Sequence, residues 1–337
     1  MISIVIVGYN SKADLKDCLP SVFASSYKNF KIIFVDNGSQ DKSLEFVKKN
    51  FPKVITIRNV NSGYAGGNNI GIKKALELKS DHVFLLNPDT IIDDNCLYEL
   101  MKKADKNTIL QPLVLLNTNG KNTDLINTTG GYLNFLGFSY CSDYKENKSK
   151  ALEKDIATAS GVAVLIPINI LKKIGLFDES FFMYLEDVDL FWRARLFGFN
   201  IRLVPNSLVW HKYSFSKNRD KMFYANRNRL LFLYKNFSAK YLILTLPMAI
   251  INEILLVLYS LINCWFWQKI KVYFSVLTLL KSSSVQRKIN LPHIKKQERK
   301  LKRFIGPEIS FSEVENPLFA PYNLILNAWW SIIKRLV

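Results

Sequence analysis

Short apolar runs alternate with longer amphipathic stretches over the first hundred residues. Residues 2–7, 31–35, 54–58 and 82–86 are compact apolar runs of strand length. Residues 14–24, 42–50, 69–79 and 95–104 place apolar side chains three and four positions apart, the spacing of a helix with one buried face. Strands alternating with helices of this length predict βαβ units. The fold class expected is α/β, a mostly parallel central sheet flanked by helices. Further on, Ser160-Gly161 leads into a strand over 162–166, and Pro167 opens a short helix. Residues 201–204 and 207–211 read as two more strands. The stretch 105–160 is less legible: 117–124 and 142–150 are polar and read as loops, and Thr129-Gly130-Gly131 as a turn.

In open parallel sheets, ligands bind outside the carboxyl ends of the strands. All four early strands finish in small or polar residues: Gly8-Tyr9-Asn10, Asp36-Asn37-Gly38-Ser39, the run from Asn61 to Asn69, and Asn87-Pro88-Asp89-Thr90. Each is also good turn chemistry, and singly would mean nothing. Four at one edge of a sheet point to a ligand. Gly66-Gly67, read as preceding a helix, would let backbone amides approach a diphosphate at the positive end of the helix dipole. Neither GxGxxG nor a P-loop is present, so a dinucleotide fold and an NTPase are unsupported.

FFMYLEDVDLFWRARLFGF, residues 181–199, carries three acids within four positions: Glu186, Asp187 and Asp189. Acids suit the first turn of a helix. Leu185, Val188, Trp192 and Leu196 keep helical spacing and predict a buried stripe, and Asp189 can pair with Arg193 at i, i+4.

Charge divides the chain. Residues 211–303 hold 19 Lys/Arg against 3 Asp/Glu, a net +16, whereas residues 1–210 hold 25 against 22, a net +3. The basic part also contains the longest apolar run, 241–268, interrupted by Pro247 and Glu253. Basic and apolar together indicate an anionic membrane surface rather than nucleic acid. A second apolar stretch, 271–281, is too short to span a bilayer. Residues 281–303 then carry nine Lys/Arg and one acid. The stretch 318–337, with Trp329-Trp330 before Lys334-Arg335, has the pattern of an interfacial helix. A helical hairpin that pairs two copies into a homodimer is the rival use of these segments. Cys18, Cys96, Cys141 and Cys264 are scattered without metal-ligand spacing, which implies buried thiols in a reducing compartment. ISIVIV lacks the basic flank and length of a secretory signal and reads as a core strand.

Seven motifs in order carry a resemblance: SIVIVGYNS, FVDNGSQDKS, NSGYAGGNNIG, LLNPDT, SGVAVLIP, FDESFFMYLEDVDLFWRARLFGF and VWHKYSFS. They cover about residues 1–215, and the chain resembles a family 2 glycosyltransferase of the GT-A fold. Within that family it is similar to bacterial rhamnosyltransferases of O-antigen and cell-wall polysaccharide synthesis. The resemblance implies a catalytic domain over 1–215 and a helical, membrane-associating region over 216–337. It implies an inverting transfer from a nucleotide-sugar donor, dTDP-rhamnose first and UDP-hexose or UDP-galactofuranose as alternatives, to a lipid-linked saccharide acceptor. The implied place is the cytoplasmic face of the bacterial plasma membrane, peripheral or monotopic.

Residue by residue, Asp36, with Asn37 beside it, matches the aspartate facing the pyrimidine. Tyr9 and Asn10 match the loop against base and ribose. Gly66, Gly67 and Asn68 match the segment facing diphosphate and sugar. Asp89 matches the last acid of a DxD motif that binds a divalent metal, Mg²⁺ or Mn²⁺. Asn87 stands where the first acid would be, which removes one charge. His211 matches a histidine completing the metal or diphosphate site. Asp187 matches the catalytic base, with Glu186 holding the acceptor or orienting Asp187, while Asp189 remains structural. A nucleotidyltransferase is the rival enzyme, but no triphosphate-binding loop accompanies the N-terminal strand. A non-catalytic scaffold built on a degenerate domain is the rival outside enzymes, and Asn87 is the feature that favours it.

Overall fold

The computed structural model describes residues 1–213, 219–310 and 319–337. The first half runs β1 (Ile2–Gly8), α1 (Lys12–Ala24), β2 (Phe30–Asp36), α2 (Ser43–Asn50), β3 (Ile55–Arg58), α3 (Gly63–Glu77), β4 (His82–Leu86), β5 (Thr90–Ile92), α4 (Cys96–Lys103), β6 (Thr108–Thr118), β7 (Lys121–Thr128), β8 (Gly131–Asn134) and β9 (Ser139–Cys141). It continues with β10 (Ala163–Pro167), α5 (Ile168–Ile174), α6 (Glu186–Leu196), β11 (Asn200–His211), α7 (Arg219–Asn236), α8 (Ala239–Ile262), α9 (Phe266–Leu301), β12 (Ile305–Gly306) and α10 (Phe319–Ile333).

The chain forms two compact units whose segments interleave. One takes Met1–Gly131, Cys141–Phe182 and the stretch from Phe199 through β11; the other takes Tyr132–Tyr140, Met183–Gly198 and the chain from α7 onward. The acidic helix α6 therefore groups with the C-terminal helices.

The first unit is α/β, as expected. Its sheet has the order β3-β2-β1-β4-β10-β6-β11-β5, with β7 added on β6. β3, β2, β1 and β4 are parallel, because each returns through a helix. β10 then enters antiparallel between β4 and β6, and β6 pairs parallel with β11. Ile4, Ile6, Phe34, Phe84 and Leu86 of the parallel strands pack with Leu15 and Leu19 of α1 and Leu97 and Leu100 of α4. Register sets the ligand edge. Gly8 pairs with Asp36 and Asp36 with Arg58, so β1, β2 and β3 end level, while β4 ends two residues earlier, at Leu86 opposite Ile6. Three inter-strand steps make that edge about 14 Å wide.

Four details differ from the expected elements. Residues 117–124 form a hairpin of β6 and β7 rather than a loop. The outer half of β7 is exposed, so its polar sequence hid the strand. Residues 201–211 form one strand, β11, with a register shift between Val204 and Leu208 where two strands were expected. Helix α3 starts at Gly63, ahead of the expected residue 69. The apolar run 241–268 is split by a turn around Asn263–Trp265, and the stretch 271–281 lies inside the long α9. Cys18 and Cys96 are buried as expected, but Cys264 is exposed in that turn.

The second unit packs α6, α7 and α9 together, with α8 and α10 beside them. α8 is inside-out. Tyr241, Thr245, Asn252 and Ser260 face inward, while Ile243, Leu246, Ile250, Ile254, Leu258 and Ile262 form an exposed stripe. The inward hydroxyls find protein partners: Tyr241 donates to the Phe135 carbonyl at 2.9 Å, and Ser260 to the Val257 carbonyl at 2.7 Å. Glu253, costly in an isolated apolar helix, accepts from Arg229, from Lys269 Nζ at 2.7 Å and from the Tyr273 hydroxyl at 2.7 Å.

Candidate functional site

The carboxyl ends of these strands collect most of the expected residues. Tyr9 is 54% exposed just past β1, leaving its ring free to stack. Asn10, with φ of +51°, takes the backbone N–H of Gln40 at 2.8 Å and gives its own to Ser39 Oγ at 2.9 Å. This closes the β1 loop onto the β2 loop. Asp36 is buried at the end of β2, where the Ser39 N–H reaches Oδ1 at 3.3 Å.

Asn37 has a structural assignment that the sequence did not reveal. It is buried, and its Nδ2 donates to the Gly63 carbonyl at 2.9 Å. Its Oδ1 accepts from Asn59 Nδ2 at 2.9 Å and from the Ser62 N–H at 3.2 Å. Asn37 thus fixes the loop that launches α3. Gly66 and Gly67 lie inside the first turns of that helix, not ahead of it. A Cβ on Gly67 would come within 2.5 Å of Val7 Cγ1, and one on Gly66 within 2.5 Å of Ser62 Oγ. Gly67 serves close helix–strand packing and Gly66 leaves room for the N-cap Ser62, and their place inside the helix corrects the expectation of a glycine loop preceding it. Asn68 is buried too, and donates to the Tyr64 carbonyl at 2.9 Å.

The end of β4 leads to a carboxylate–imidazole contact. Asn87 follows it, its backbone carbonyl taking the Thr90 hydroxyl at 2.6 Å, and this turn feeds β5. β5 pairs antiparallel with the end of β11, Thr90 opposite His211. That pairing brings two residues 122 apart in sequence together: His211 Nε2 stands 3.2 Å from Asp89 Oδ2. The other ring nitrogen, Nδ1, stands 2.9 Å from Asn127 Oδ1 on β7. Asp89 Oδ1 is buried without a hydrogen-bond partner among the described residues. One carboxylate with an orphaned oxygen beside one imidazole suits a hard divalent cation that takes its remaining ligands from phosphate and water. Among the described residues no cluster of three or more His, Cys, Asp or Glu side chains occurs, so the protein offers two ligands here.

The acidic pair belongs to the second unit. α6 starts at Glu186 after two residues in left-handed conformation, Tyr184 at φ +67° and Leu185 at φ +63°. Non-glycine residues rarely adopt this conformation, and where they do the surroundings impose it. Here Asn228 of α7, fully buried, donates to the Met183 and Tyr184 carbonyls at 2.9 and 2.7 Å. Nothing in the sequence pattern singled out Asn228. Asp187 is half-buried, and one oxygen takes the Val188 N–H at 2.7 Å. Glu186 is buried, and its Oε2 has no partner among the described residues. Burial, and then the neighbouring Asp187 charge, raise the Glu186 carboxyl well above the usual range. Adjacent carboxyls in unlike environments can divide the roles of proton acceptor and neutral hydrogen-bond donor. Asp189 is structural, as expected, with Arg193 Nε at 3.0 Å. In the predicted stripe Val188, Trp192 and Leu196 are buried and Leu185 half-buried.

A central mixed sheet flanked by helices is the fold shared with GT-A glycosyltransferases. The chain belongs to glycosyl transferase family 2, whose sequence pattern matches residues 3–175. The glycosyltransferase expectation is met at that level. It is 30% identical over 212 residues to the poly-beta-1,6-N-acetyl-D-glucosamine synthase of Staphylococcus epidermidis, covering 62% of this chain and 49% of that protein. It is 30% identical over 204 residues to the low-salt glycan biosynthesis hexosyltransferase Agl10 of Haloferax volcanii, covering 59% of this chain and 63% of that one. The chain thus spans about half of the first relative's length and under two thirds of the second's. GalNAc-T7, solved with UDP, GalNAc and Mn²⁺, shares the fold at a TM-score of 0.57 and 18% identity, over 72% of this chain and 48% of its own.

Proposed function

We propose that the chain is an inverting glycosyltransferase that moves a sugar from a nucleotide diphosphate to a saccharide acceptor. The observation that carries the reading is the His211–Asp89 pair at the strand edge that also holds Tyr9 and Asp36. In this reading Tyr9, Asn10 and Asp36 hold the nucleotide, with the Asn37-braced loop and the start of α3 beside it. Asp89 and His211 hold Mg²⁺ or Mn²⁺, which would supply neutralisation of the diphosphate charge. Asp187 accepts the proton of the acceptor hydroxyl. The acceptor oxygen then bonds to the anomeric carbon, and the bond from that carbon to the diphosphate breaks on the opposite face, its electron pair leaving with the phosphate. Glu186 positions the acceptor.

Two lines of support differ on the sugar. The motif resemblance favours rhamnose from dTDP-rhamnose. The Staphylococcus epidermidis relative and the UDP held by GalNAc-T7 favour a UDP-N-acetylhexosamine. Thermal stabilisation by dTDP-rhamnose, UDP-GlcNAc and UDP-galactofuranose, with and without Mn²⁺, followed by donor consumption with a saccharide acceptor, separates them. A protein stabilised by none and consuming none is a scaffold, and the reading fails.

The reading includes attachment to an anionic membrane surface, where a lipid-linked acceptor would be met. Its support is the inside-out α8, with Leu324, Ile325 and Ile332 exposed on α10 and the basic run of α9. α8 is the one helix among the described residues long and apolar enough to cross a bilayer. The engagement of Glu253 with α7 and α9 favours lying on the surface over crossing it. Pairing of two copies through the same stripe is the rival outcome.

A further inference from the structure

We infer that Asn127 is a positioning residue that fixes the tautomer of His211 so that Nε2 faces Asp89 as a ligand. The inference rests on the proposed cation site. Asn127 sits on β7, 1% exposed, with Oδ1 at 2.9 Å from His211 Nδ1. An amide oxygen only accepts, so Nδ1 carries the proton and donates it to Asn127. In a neutral ring Nε2 then presents a lone pair, 3.2 Å from Asp89 Oδ2. The two atoms need a positive group between them, either a second ring proton on Nε2 or a cation, and the proposed cation would take that place. Asp89 Oδ1, buried and without a partner among the described residues, is the second sign of a missing positive group. Ligating histidines characteristically give their other N–H to a carboxylate, carbonyl or water, which sets ring orientation. A neutral amide does this without adding a second negative charge beside Asp89.

The scaffold around Asn127 is arranged to keep it in place. β7 pairs antiparallel with β6, and β6 pairs parallel with β11 through His211 itself. Trp210, the neighbour of His211, donates its indole N–H to the Thr123 carbonyl on β7 at 3.1 Å. The hairpin that the polar sequence concealed is therefore the element that delivers the amide to the ring.

The test is Mn²⁺ binding to the full chain at saturating UDP, followed by the loss of the free-Mn²⁺ paramagnetic signal. Asn127→Ala should weaken Mn²⁺ binding about 10–100-fold, the range for loss of such a partner. UDP binding measured with chelator present should stay close to wild type, which also reports that the strand edge is folded. Asn127→Asp should restore most of the Mn²⁺ affinity, because a carboxylate oxygen still accepts from Nδ1. Should Asn127→Ala not fold, the aspartate variant and Asn127→Leu carry the comparison. If His211→Ala weakens Mn²⁺ binding and the Asn127 variants do not, the positioning role is overturned. If neither His211→Ala nor Asp89→Ala weakens it, the cation site itself is wrong, and this inference falls with it.

Discussion

Asp189 Oδ1 lies 3.0 Å from Lys235 Nζ, and both side chains are fully buried. The same carboxylate holds Arg193 Nε at 3.0 Å through Oδ2 and accepts from Asn236 Nδ2 at 2.8 Å. Asn236 in turn accepts from Asn290 of α9 at 3.0 Å. One carboxylate thus ties the helix that starts with Glu186 and Asp187 to α7 and, through one amide, to α9.

Removing one partner of a buried ion pair costs about 3–5 kcal/mol, because the other charge loses its compensation. Asp189→Leu should destabilise the second unit by that amount. Urea unfolding followed by Trp192, whose ring stacks on Phe237 at 5.6 Å, reads the unit locally. A loss under about 1 kcal/mol would make the network incidental.

Asp187→Asn should lower kcat about 10²–10⁴-fold, the contribution of a positioned base. Donor affinity should hold, since the base acts on the acceptor. Steady-state kinetics with equilibrium binding of the nucleotide sugar checks both. A rate within about tenfold of wild type removes Asp187 from the role.

The Glu186 carboxyl has a raised affinity for its proton in the fold. The unfolded chain releases that proton near the ordinary glutamate value of about 4.3. As pH rises past that value the folded state holds more protons than the unfolded one, so stability falls with pH. The contribution is fully present below about pH 4 and is lost on the way up to the folded-state value. Glu186→Gln lacks this slope. Its melting temperature should match wild type near pH 4 and exceed it near pH 8. Parallel melting curves across the range would mean that Glu186 ionises freely.

Lys295, Lys296, Arg299 and Lys300 are exposed on α9. Lys302 is occupied, donating to the Lys334 and Val337 carbonyls at 2.8 and 3.2 Å past the end of α10. Replacing the four exposed residues by Gln should reduce binding to anionic liposomes, at about 1 kcal/mol per charge, and leave binding to neutral liposomes nearly unchanged. The apolar stripe of α8 is larger: six side chains at about 1.5–3 kcal/mol each in full burial. Salt should therefore loosen attachment without releasing it. Co-sedimentation across a salt series decides. Equal binding by variant and wild type sinks the electrostatic part, and no binding by either favours pairing of two copies.

Local pattern by itself determined the early elements, because strand and helix periods are short-range properties of neighbouring side chains. It placed β1, β2 and β4 within a residue or so, located the start of α6, and paired Asp189 with Arg193 at helical spacing. Motif order nominated Asp36, Asp89, Asp187 and His211 as candidates. Only the tertiary structure decided what depends on contacts across many residues. The 122-residue approach of His211 to Asp89 follows from β5 pairing with β11, which no local period encodes. Asn127 was hidden in a hairpin whose exposed half reads as a loop. Only the tertiary structure showed the Asn37 amide braced against 59–63, and Gly66-Gly67 lying inside the helix, Gly67 against Val7, rather than ahead of it. In α8 the composition announced an apolar helix, but which face is buried depended on partners. The Glu253 ion pairs and the inward hydroxyls turned the polar side to the protein and left the apolar side outward.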